Sequence, residues 1–397
     1  TLPPWDNSAM DGYAILAGDV AAASEDDPTR LRVSGEVPAG GVATDAVEHG
    51  SAIRIATGAP IPPGADAVVP VEQTTPLDAA RAVGARGRDA VGPVPAAILV
   101  HGAVSSGAHI RRRGSDLVEG DAVLAPGSSV TPAAIALASG AGLATIHVRR
   151  RPRVAVLATG NEVRPAGEAL GDAGIPDANG PGLVALVEAA GAEPVPLGIA
   201  PDDLDDVTAR MRRALADGAD AIVVAGGVSV GPYDVVKVAF ETVGEIGLWK
   251  VAVQPGKPFA FGRAARPDGG RALLFGLPGN PVSSFVTFEL FVRPAIRALA
   301  GRRDLLRPVD RAVLLDEVKT AANRRAFLRV TAERDADGAV RRDDAGRVLV
   351  RLSRGPAGQG SHVLSALATS DALAVVPEEV EVHAAGDPVA LWWLDPA

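Results

Sequence analysis

The sequence predicts a multidomain α/β and β protein built around a doubly wound, mostly parallel α/β domain. The chain has 397 residues. A single hydrophobic core rarely serves a chain of this length, so we expect about two to four domains. In its middle part, buried-strand patterns alternate with helical patterns, which is typical of a parallel sheet covered by helices on both faces. On either side, short apolar runs separated by turn residues indicate β-rich flanking domains.

Changes in composition divide the chain into four predicted segments. A β-rich N-terminal domain comes first and a short helical linker region follows it. The α/β domain occupies the middle, and a small β-barrel or sandwich ends the chain. The predicted boundaries are 1–125, 126–152, 153–302 and 303–397.

The N-terminal domain and the linker are predicted from local turn and cap residues. Runs such as SAIRIATGAP and ADAVVPVE suit short strands joined by tight turns. The pattern over residues 131–144 predicts a helix, because Thr131 can cap its start and Pro132 suits the first helical position. The basic run RRRPR at 149–153 favours a solvated interdomain link over a nucleic-acid patch.

The α/β domain and the C-terminal domain are predicted from apolar runs of two kinds. RVAVLATG, EPVPLGIA, DAIVVAGG and ALLFGLPG are buried-strand patterns. Helices are expected over 180–191, over about 202–217 and along NPVSSFVTFELFVRPAIRALA. The C-terminal strands are expected in RAVLLDEV, RAFLRVTAE, RVLVRLS, ALAVVPEE and DPVALWWL. In a parallel sheet, ligands bind beyond the carboxyl ends of the strands, where the glycine-rich turns of this sequence fall.

Composition excludes several classes of function. The chain contains no cysteine, which removes disulfides, thiol nucleophiles and cysteine-based metal sites. Its formal net charge of −9 argues against a general nucleic-acid binder. Every long apolar run is interrupted by glycine, proline or charge, so no membrane span is expected. The sequence also lacks a Walker loop, a GxGxxG dinucleotide motif, a His-Glu-x-x-His motif and a catalytic triad.

Polar residues follow the predicted strands at one edge of the sheet. In ATGNEV a strand ends in glycine, and Asn161 and Glu162 come directly after it. In GGVSVGPYDVVK, Gly226 and Gly227 let the backbone approach a phosphate or another anion closely, and Asp234 follows as a candidate metal ligand.

Positive groups are predicted beside the same turns. Three of the four lysines of the chain lie within residues 237–257. This clustering indicates a site that needs the compact ammonium group of lysine. Lys250 and Lys257 flank a turn in WKVAVQPGKPFAFG. In GLPGNPVSSF, Asn280 is placed to cap a helix and Pro281 to begin it, which directs the positive end of the helix dipole at the cleft. These residues predict an anion-binding cleft whose oxygen ligands suit Mg²⁺.

Seven segments, in this order, resemble the molybdopterin molybdenumtransferase family, which includes MoeA and the E domain of gephyrin. They are DNSAMDGYA, TGAPIPPGADAVV, RRRGSDLVEGD, LATGNEV, AGGVSVGPYD, QPGKPFAFG and LPGNPVSSF. The C-terminal GQGSHVLSALATSDALAVVPEE is similar to the last domain of that family. The resemblance therefore covers essentially the whole chain.

The resemblance implies a role in molybdenum cofactor biosynthesis. Members of the family cleave the phosphoanhydride of adenylylated molybdopterin, release AMP and insert molybdenum from molybdate, assisted by a divalent cation such as Mg²⁺. It also implies a MogA-like, molybdopterin-binding central domain and an elongated, cytoplasmic homodimer. Molybdopterin adenylyltransferase or other proteins of the cofactor pathway are candidate partners. Neither nucleic acid nor a membrane is an expected partner.

The resemblance assigns site residues as well. It implies that Asp11 lies in a cleft completed by the partner subunit. The implied catalytic residues are Asp11, Asp116, Glu162, Asp202, Asp234, Lys250 and Lys257. The implied ligand-binding residues are Thr57, Gly160, Gly226, Gly227, Ser229, Pro278, Gly279, Asn280, Pro281 and Ser283. The implied metal ligands are Asp234, Glu162 and Asp203, with Asp202 as the alternative to Asp203.

The residue chemistry agrees with these assignments. Molybdate is a dianion that needs positive charge or N–H donors, which Lys250, Lys257 and the helix start at Pro281 can supply. Cleavage of a phosphoanhydride needs a metal held between carboxylates and phosphate. The absence of cysteine also fits, because both sulfurs arrive with the pterin and a protein thiol would compete for molybdenum.

Two alternative functions stay open from the sequence. Molybdopterin adenylyltransferases resemble the α/β domain, although they usually lack the flanking domains. A non-catalytic scaffold similar to the E domain of gephyrin is the second alternative. The complete set of acidic and lysine residues favours an enzyme.

Overall fold

The computed structural model describes residues 1–78, 81–82, 85–87, 92–227 and 235–394. The chain divides into two compact units. The first comprises Thr1–Pro126 and Val130–Ile146, and the second comprises Gly127–Ser129 and His147–Ala397. Across the described ranges, no helix combines the length and the apolar character needed to cross a bilayer.

The first unit is formed mainly by a β-sheet, as the sequence predicts. Its described strands are β1 (Asn7–Ser8), β2 (Gly12–Ile15), β3 (Thr29–Val37), β4 (Ser51–Ile55), β5 (Ala67–Pro70), β6 (Thr74–Asp78), β7 (Arg81–Ala82), β8 (Ala97–Val100) and β9 (Ile110–Arg111). The main sheet has the order β5-β2-β4-β3-β8-β6-β7, in which β3 and β4 are parallel. Tyr13, Ile15 and Ile98 are fully buried in its core. A separate ribbon pairs β1 with β9.

Helix α1 (Pro132–Gly140) begins where the sequence predicts. The side chain of Thr131 accepts a hydrogen bond from the N–H of Ala134 at 3.2 Å, and Pro132 takes the first helical position. The helix ends before the predicted position because Gly142 adopts a left-handed conformation, with a φ of 85°.

The second unit begins with the α/β part, which contains a main sheet and short strands outside it. Its described strands are β10 (Arg153–Thr159), β11 (Val163–Arg164), β12 (Ile175–Pro176), β13 (Glu193–Ala200), β14 (Ala221–Ala225), β15 (Glu245–Lys250), β16 (Val253–Gln254), β17 (Pro258–Ala265) and β18 (Arg271–Leu277). The helices are α2 (Asn179–Ala189), α3 (Leu204–Ala216), α4 (Val235–Val243), α5 (Pro281–Thr287) and α6 (Arg293–Leu299). The sheet has the order β13-β10-β14-β18-β17-β15.

The predicted doubly wound, mostly parallel sheet is confirmed. Strands β13, β10, β14 and β18 are parallel, and β17 and β15 extend the sheet in antiparallel pairs. Alternate side chains of β10 enter different cores. Ala155 and Leu157 pack with α3 and α4, whereas Val154 and Val156 pack with α2 and α6. Helices therefore cover both faces.

The strand order creates a switch point between β10 and β14. The chain leaves β10 through α2 to reach β13 on one side, and then returns through α3 to β14 on the other side. Because the two connections cover opposite faces, a crevice opens outside the carboxyl ends of β10 and β14.

The predicted long helix after β18 is continuous from residue 281 to residue 299 but includes a π-helical segment, Phe288–Val292. Pro294 follows this segment at the start of α6. Proline has no N–H to donate, and its ring conflicts with the carbonyl one turn earlier in a regular α-helix. The wider π turn accommodates the proline without ending the helix.

The C-terminal part is a closed barrel rather than a sandwich. Its elements are β19 (Val309–Leu314), β20 (Val318–Lys319), β21 (Arg325–Ala332), β22 (Val348–Leu352), α7 (Leu364–Ala368), β23 (Ala372–Val376), β24 (Val382–His383) and β25 (Pro388–Trp393). Strands β21, β22, β19, β25 and β23 are neighbours in that order, and β23 pairs back with β21. The predicted apolar segments supply these barrel strands. Strand β16 of the α/β part also pairs with β21.

Candidate active site

A cleft of about 1030 Å³ lies at the switch point, outside the carboxyl ends of β10, β14 and β18. Loops after all three strands line it, so residues far apart in sequence meet there. The predicted site residues among its lining groups are Gly160, Glu162, Asp202, Gly226, Gly227, Pro278, Gly279, Asn280, Pro281 and Ser283.

The loops after β10 and β13 each place one acidic side chain in the cleft, Glu162 and Asp202. Asn161 and Asp202 join the loops after β10 and β13 through reciprocal hydrogen bonds. The N–H of Asn161 donates to Oδ2 of Asp202 at 3.3 Å, and the N–H of Asp202 donates to Oδ1 of Asn161 at 3.1 Å. The carboxylate of Glu162 folds over Gly160, where an added Cβ would lie 2.9 Å from both of its oxygens. Glu162 and Asp202 thus present oxygen ligands on one wall.

The loop after β14 approaches the loop after β10 through its backbone. Gly226 and Gly227 have φ values of 99° and 62°, which favour glycine. A Cβ on Gly226 would lie 2.5 Å from the carbonyl oxygen of Thr159. The predicted site residues Ser229 and Asp234 lie outside the described residues.

The loop after β18 forms the third side of the cleft. Pro281 begins α5 as predicted. Asn280 takes the N-cap position of this helix as predicted, but among the described residues its side chain makes no capping hydrogen bond, and its Nδ2 donates to Oγ of Ser361 at 3.2 Å. The carbonyl of Ser361 accepts the N–H of Val282 at 3.3 Å. A loop of the barrel therefore accepts a hydrogen bond from one N–H group in the first turn of α5.

Two predicted metal ligands have different surroundings. Glu162 lines the cleft, whereas Oδ1 of Asp203 accepts the N–H of Asp206 at 2.9 Å and caps α3. In the chain as described, no group of three or more His, Asp or Glu side chains is arranged to hold a metal ion. Glu162 and Asp202 are hard oxygen donors, and they suit a divalent cation that takes its other ligands from water and phosphate.

The two predicted lysines lie on neighbouring strand ends. In the register of β15 and β17, Lys250 lies opposite Pro258, and Pro258 lines the cleft. The N–H of Val251 donates to the carbonyl of Lys257. Both lysine side chains are exposed. Neither ammonium group has an ion-pair partner within the described ranges, although Lys237 pairs with Glu241 at 3.9 Å. Unpaired cations of this kind can bind an anion.

Asp11 and Thr57, in the first unit, contact each other directly. Oδ1 of Asp11 accepts the N–H of Thr57 at 2.7 Å. Gly12 is required beside them, because a Cβ there would lie 2.1 Å from the carbonyl oxygen of Val69. Asp116 is exposed in the same unit, where its N–H donates to the carbonyl of Leu2 at 3.1 Å.

Sequence reasoning missed two lining groups, His362 and Asp177. His362 enters the cleft from the barrel, and Asp177 and Asn179 enter it at the start of α2. The amide of Asn179 donates to the carbonyl of Gly279 at 2.8 Å. His362 belongs to the GQGSH segment that resembles the last domain of the family. The sequence does not show that this segment lies beside α5, which follows from the fold.

Three protein-family models match consecutive parts of the chain. "MoeA N-terminal region (domain I and II)" matches residues 1–142, "Probable molybdopterin binding domain" matches 155–298, and "MoeA C-terminal region (domain IV)" matches 311–394. A relative named molybdopterin molybdenumtransferase 2, from Mycobacterium tuberculosis, is 39% identical over 99% of this chain and 89% of its own length. The chain belongs to the molybdopterin molybdenumtransferase family.

Other members of the family are similar over the same span. The molybdopterin molybdenumtransferase of Haemophilus influenzae is 34% identical over 98% of this chain and 87% of its own length. The crystal structure of a molybdopterin biosynthesis MoeA protein from Pyrococcus horikoshii aligns with a TM-score of 0.75 at 29% identity. That alignment covers 100% of this chain and 89% of the other. The predicted family and architecture are confirmed.

Proposed function

We propose that this chain is a molybdopterin molybdenumtransferase, an enzyme that inserts molybdenum from molybdate into adenylylated molybdopterin and releases AMP. The observation that carries the proposal is the cleft at the switch point of a chain that matches molybdenumtransferases along nearly its whole length. Its glycine loops expose backbone to a phosphorylated ligand, and its carboxylates stand beside them.

The residues of the cleft suit hydrolysis of a phosphoanhydride. One water molecule is consumed, and the products are AMP and molybdopterin carrying its own phosphate. The N–H of Gly226 donates to the carbonyl of Leu277 at 3.1 Å, so the N–H of Gly227 is the candidate donor to phosphate oxygens in this loop. Asn161 fixes Asp202 from both sides, so this carboxylate is oriented before substrate binds.

We propose that Glu162 and Asp202 hold a divalent cation such as Mg²⁺, together with Asp234, whose role rests on the family resemblance. A bound divalent cation stabilises the negative charge that develops on phosphate oxygens during cleavage. Asp203 is a weaker candidate ligand, since Oδ1 of this residue already caps α3.

We propose that Lys250 and Lys257 attract molybdate. The protein has a net charge of −9, so capture of a dianion depends on local cations. The two thiols of the pterin then bond to molybdenum, and one oxygen of molybdate leaves as water with the two thiol protons. Both lysines are exposed and have no ion-pair partner among the described side chains, so their charge is available to the incoming anion.

A direct assay tests this function. Purified protein is incubated with adenylylated molybdopterin, molybdate and Mg²⁺, and AMP and active molybdenum cofactor are measured. We expect both products, with cofactor formation lost when molybdate is omitted and AMP release lost when Mg²⁺ is chelated. An adenylyltransferase would instead make the adduct from molybdopterin and ATP, and a scaffold would give neither product.

We further propose that the protein acts as a cytoplasmic homodimer and receives its substrate from a molybdopterin adenylyltransferase. This proposal rests on the family resemblance. Sedimentation of the purified protein tests the dimer. Co-purification with the adenylyltransferase of the same cell tests the partner, and separation of cytoplasmic from membrane fractions tests the location.

A further inference from the structure

The described lining of the cleft is acidic. It contains the carboxylates of Glu162, Asp177 and Asp202. Among the described lining residues, His362 is the one side chain that can carry positive charge, since Lys250 and Lys257 lie outside this lining. Before a cation binds to Glu162 and Asp202, three carboxylates of this lining repel a phosphorylated ligand, and the imidazole is the one described side chain of the lining that can attract it by charge.

The barrel holds His362 in the cleft through its loop backbone. The buried guanidinium of Arg329 donates to the carbonyls of Gly358 at 3.0 Å and Gly360 at 3.2 Å. Gln359 and the backbone of Arg329 exchange two hydrogen bonds of 2.9 Å. Beyond this clamp, Ser361 contacts Asn280 and Val282 at the start of α5. The position of His362 is thus fixed from both the barrel and the α/β part.

The ring of His362 has room because residue 360 is glycine. A Cβ on Gly360 would lie 3.0 Å from Cε1 and 3.3 Å from Nδ1 of the imidazole. Within the described part of the chain, no hydrogen bond engages the imidazole nitrogens. A donor that faces a cleft without a protein partner is available to a ligand.

We propose that His362 is a ligand-binding residue, and that its imidazole N–H donates to a phosphate oxygen of the nucleotide half of the substrate. The inference rests on the proposed function, because it names a contact to adenylylated molybdopterin. It assigns the barrel a direct part in substrate binding, since the barrel loop supplies a side chain that can carry positive charge, and the described α/β lining has none.

Binding of AMP and of adenosine to the full chain tests the contact, because the two ligands differ only in the phosphate. Calorimetric titrations compare the wild-type protein with His362→Ala, His362→Gln and Gly360→Ala. His362→Gln keeps a neutral donor, and Gly360→Ala keeps the imidazole but displaces it. His147→Ala serves as control, since His147 is exposed and outside the cleft lining. Thermal unfolding checks that each variant is folded.

We expect His362→Ala to weaken AMP binding about 10-fold and to leave adenosine binding within about twofold, as a lost charge-assisted hydrogen bond predicts. Gly360→Ala should weaken AMP binding selectively as well, and His362→Gln should fall between wild type and His362→Ala. Equal losses for AMP and adenosine, or unchanged AMP binding, would overturn the contact.

Turnover at varied molybdate shows whether His362 binds phosphate or molybdate, which are both tetrahedral anions. If His362→Ala raises the molybdate concentration for half-maximal turnover but leaves AMP binding unchanged, the imidazole binds molybdate and the nucleotide contact is wrong. A wild-type protein with neither AMP binding nor turnover would remove the proposed function itself. Wild-type binding that His362→Ala leaves intact would remove only this contact.

Discussion

Asp11 shows how one side chain can serve the fold and a candidate site together. Its Oδ1 accepts the N–H of Thr57, and its backbone carbonyl accepts the N–H of Val71 at 3.0 Å. The nearby backbone N–H of Gly58 donates to the carbonyl of Ser8 at 2.8 Å. The polar segment NSAMDGYA therefore binds the TGAP turn of its own unit. Oδ2 of Asp11 has no hydrogen bond among the described residues and remains available to a ligand.

Replacing Glu162 by Gln should remove most AMP release without unfolding the protein. Glu162 is exposed in the cleft, so the change should alter the free energy of unfolding by less than about 0.5 kcal/mol. A neutral amide binds a divalent cation poorly, and we expect a loss on the order of 100-fold in the rate of AMP release. Glu168→Gln, which changes an exposed carboxylate outside the cleft lining, is the matched control. Full AMP release by folded Glu162→Gln would exclude this role.

Replacing Lys250 or Lys257 by Gln should raise the molybdate concentration for half-maximal turnover more than it weakens binding of the pterin adduct. The effect should shrink as salt is added, because exposed charges are screened. Lys319→Gln is the control, since Lys319 is also exposed but lies in β20 of the C-terminal part, outside the cleft lining. Turnover at varied molybdate is measured beside calorimetry of the adduct. Equal losses for both ligands would show that these lysines bind the pterin phosphates instead.

At the scale of elements, glycine loops set the shape of the cleft. Gly226→Ala should destabilise the protein by about 3 kcal/mol, because the new Cβ meets the carbonyl oxygen of Thr159 in addition to straining the backbone. Gly269→Ala separates the two effects. Gly269 has a φ of 83°, but among the described atoms nothing lies within 4 Å of an added Cβ, so the strain alone should cost about 1 kcal/mol. Urea unfolding measures both, and equal losses would contradict the steric reason.

The helix after β18 is held by a buried ionic group in its π segment. Glu289 is 2% exposed and receives two hydrogen bonds of 2.9 Å from Arg307, while Arg293 lies 3.8 Å from it. Burial, followed by the positive charge of Arg307, lowers the pKa of Arg293 to about 10, so this guanidinium stays charged at neutral pH.

Glu289→Gln should lower the free energy of unfolding by about 3–5 kcal/mol, since it leaves the buried Arg293 and the half-buried Arg307 without their counter-charge. Glu378→Gln removes an exposed carboxylate from Arg325 and should cost less than about 1 kcal/mol. Urea unfolding at neutral pH compares the two variants. A loss as small for Glu289→Gln as for Glu378→Gln would show that the helix does not depend on this pair.

Elements with strong local patterns could be predicted from the sequence, and those defined by distant partners could not. The barrel strands and the parallel strands of the sheet have continuous or alternating apolar runs, and α1 has a cap and a proline at its start. Strands β15 and β17 were missed because Gly, Pro and Lys residues between them obscure the pattern. The cleft loops could be predicted because parallel strands end at one edge. His362 could not, because the contact of its loop with α5 depends on tertiary packing.

At the scale of the whole molecule, the residues that the resemblance assigns to one function belong to both units. Asp11, Thr57 and Asp116 are in the first, and Glu162 and Asp202 are in the second. Each set is organised by its own unit, through the Asp11–Thr57 contact in one and the Asn161–Asp202 pair in the other. In a closed twofold dimer, each subunit can place residues from one of its units in the site of its partner. The proposed homodimer would then be a requirement for activity.

Mixing two inactive variants tests this requirement. Asp11→Ala and Glu162→Ala should each be inactive as homodimers, because every shared site then lacks one acidic residue. After subunit exchange, half of the dimers are mixed, and each has one site with both residues intact and one with neither. We expect about a quarter of the wild-type AMP release to return, if exchange is random. Two different affinity tags confirm that mixed dimers form. If they form and no activity returns, Asp11 and Glu162 do not act in a site shared between subunits, because a shared site must recover its full set of residues in the mixed dimer.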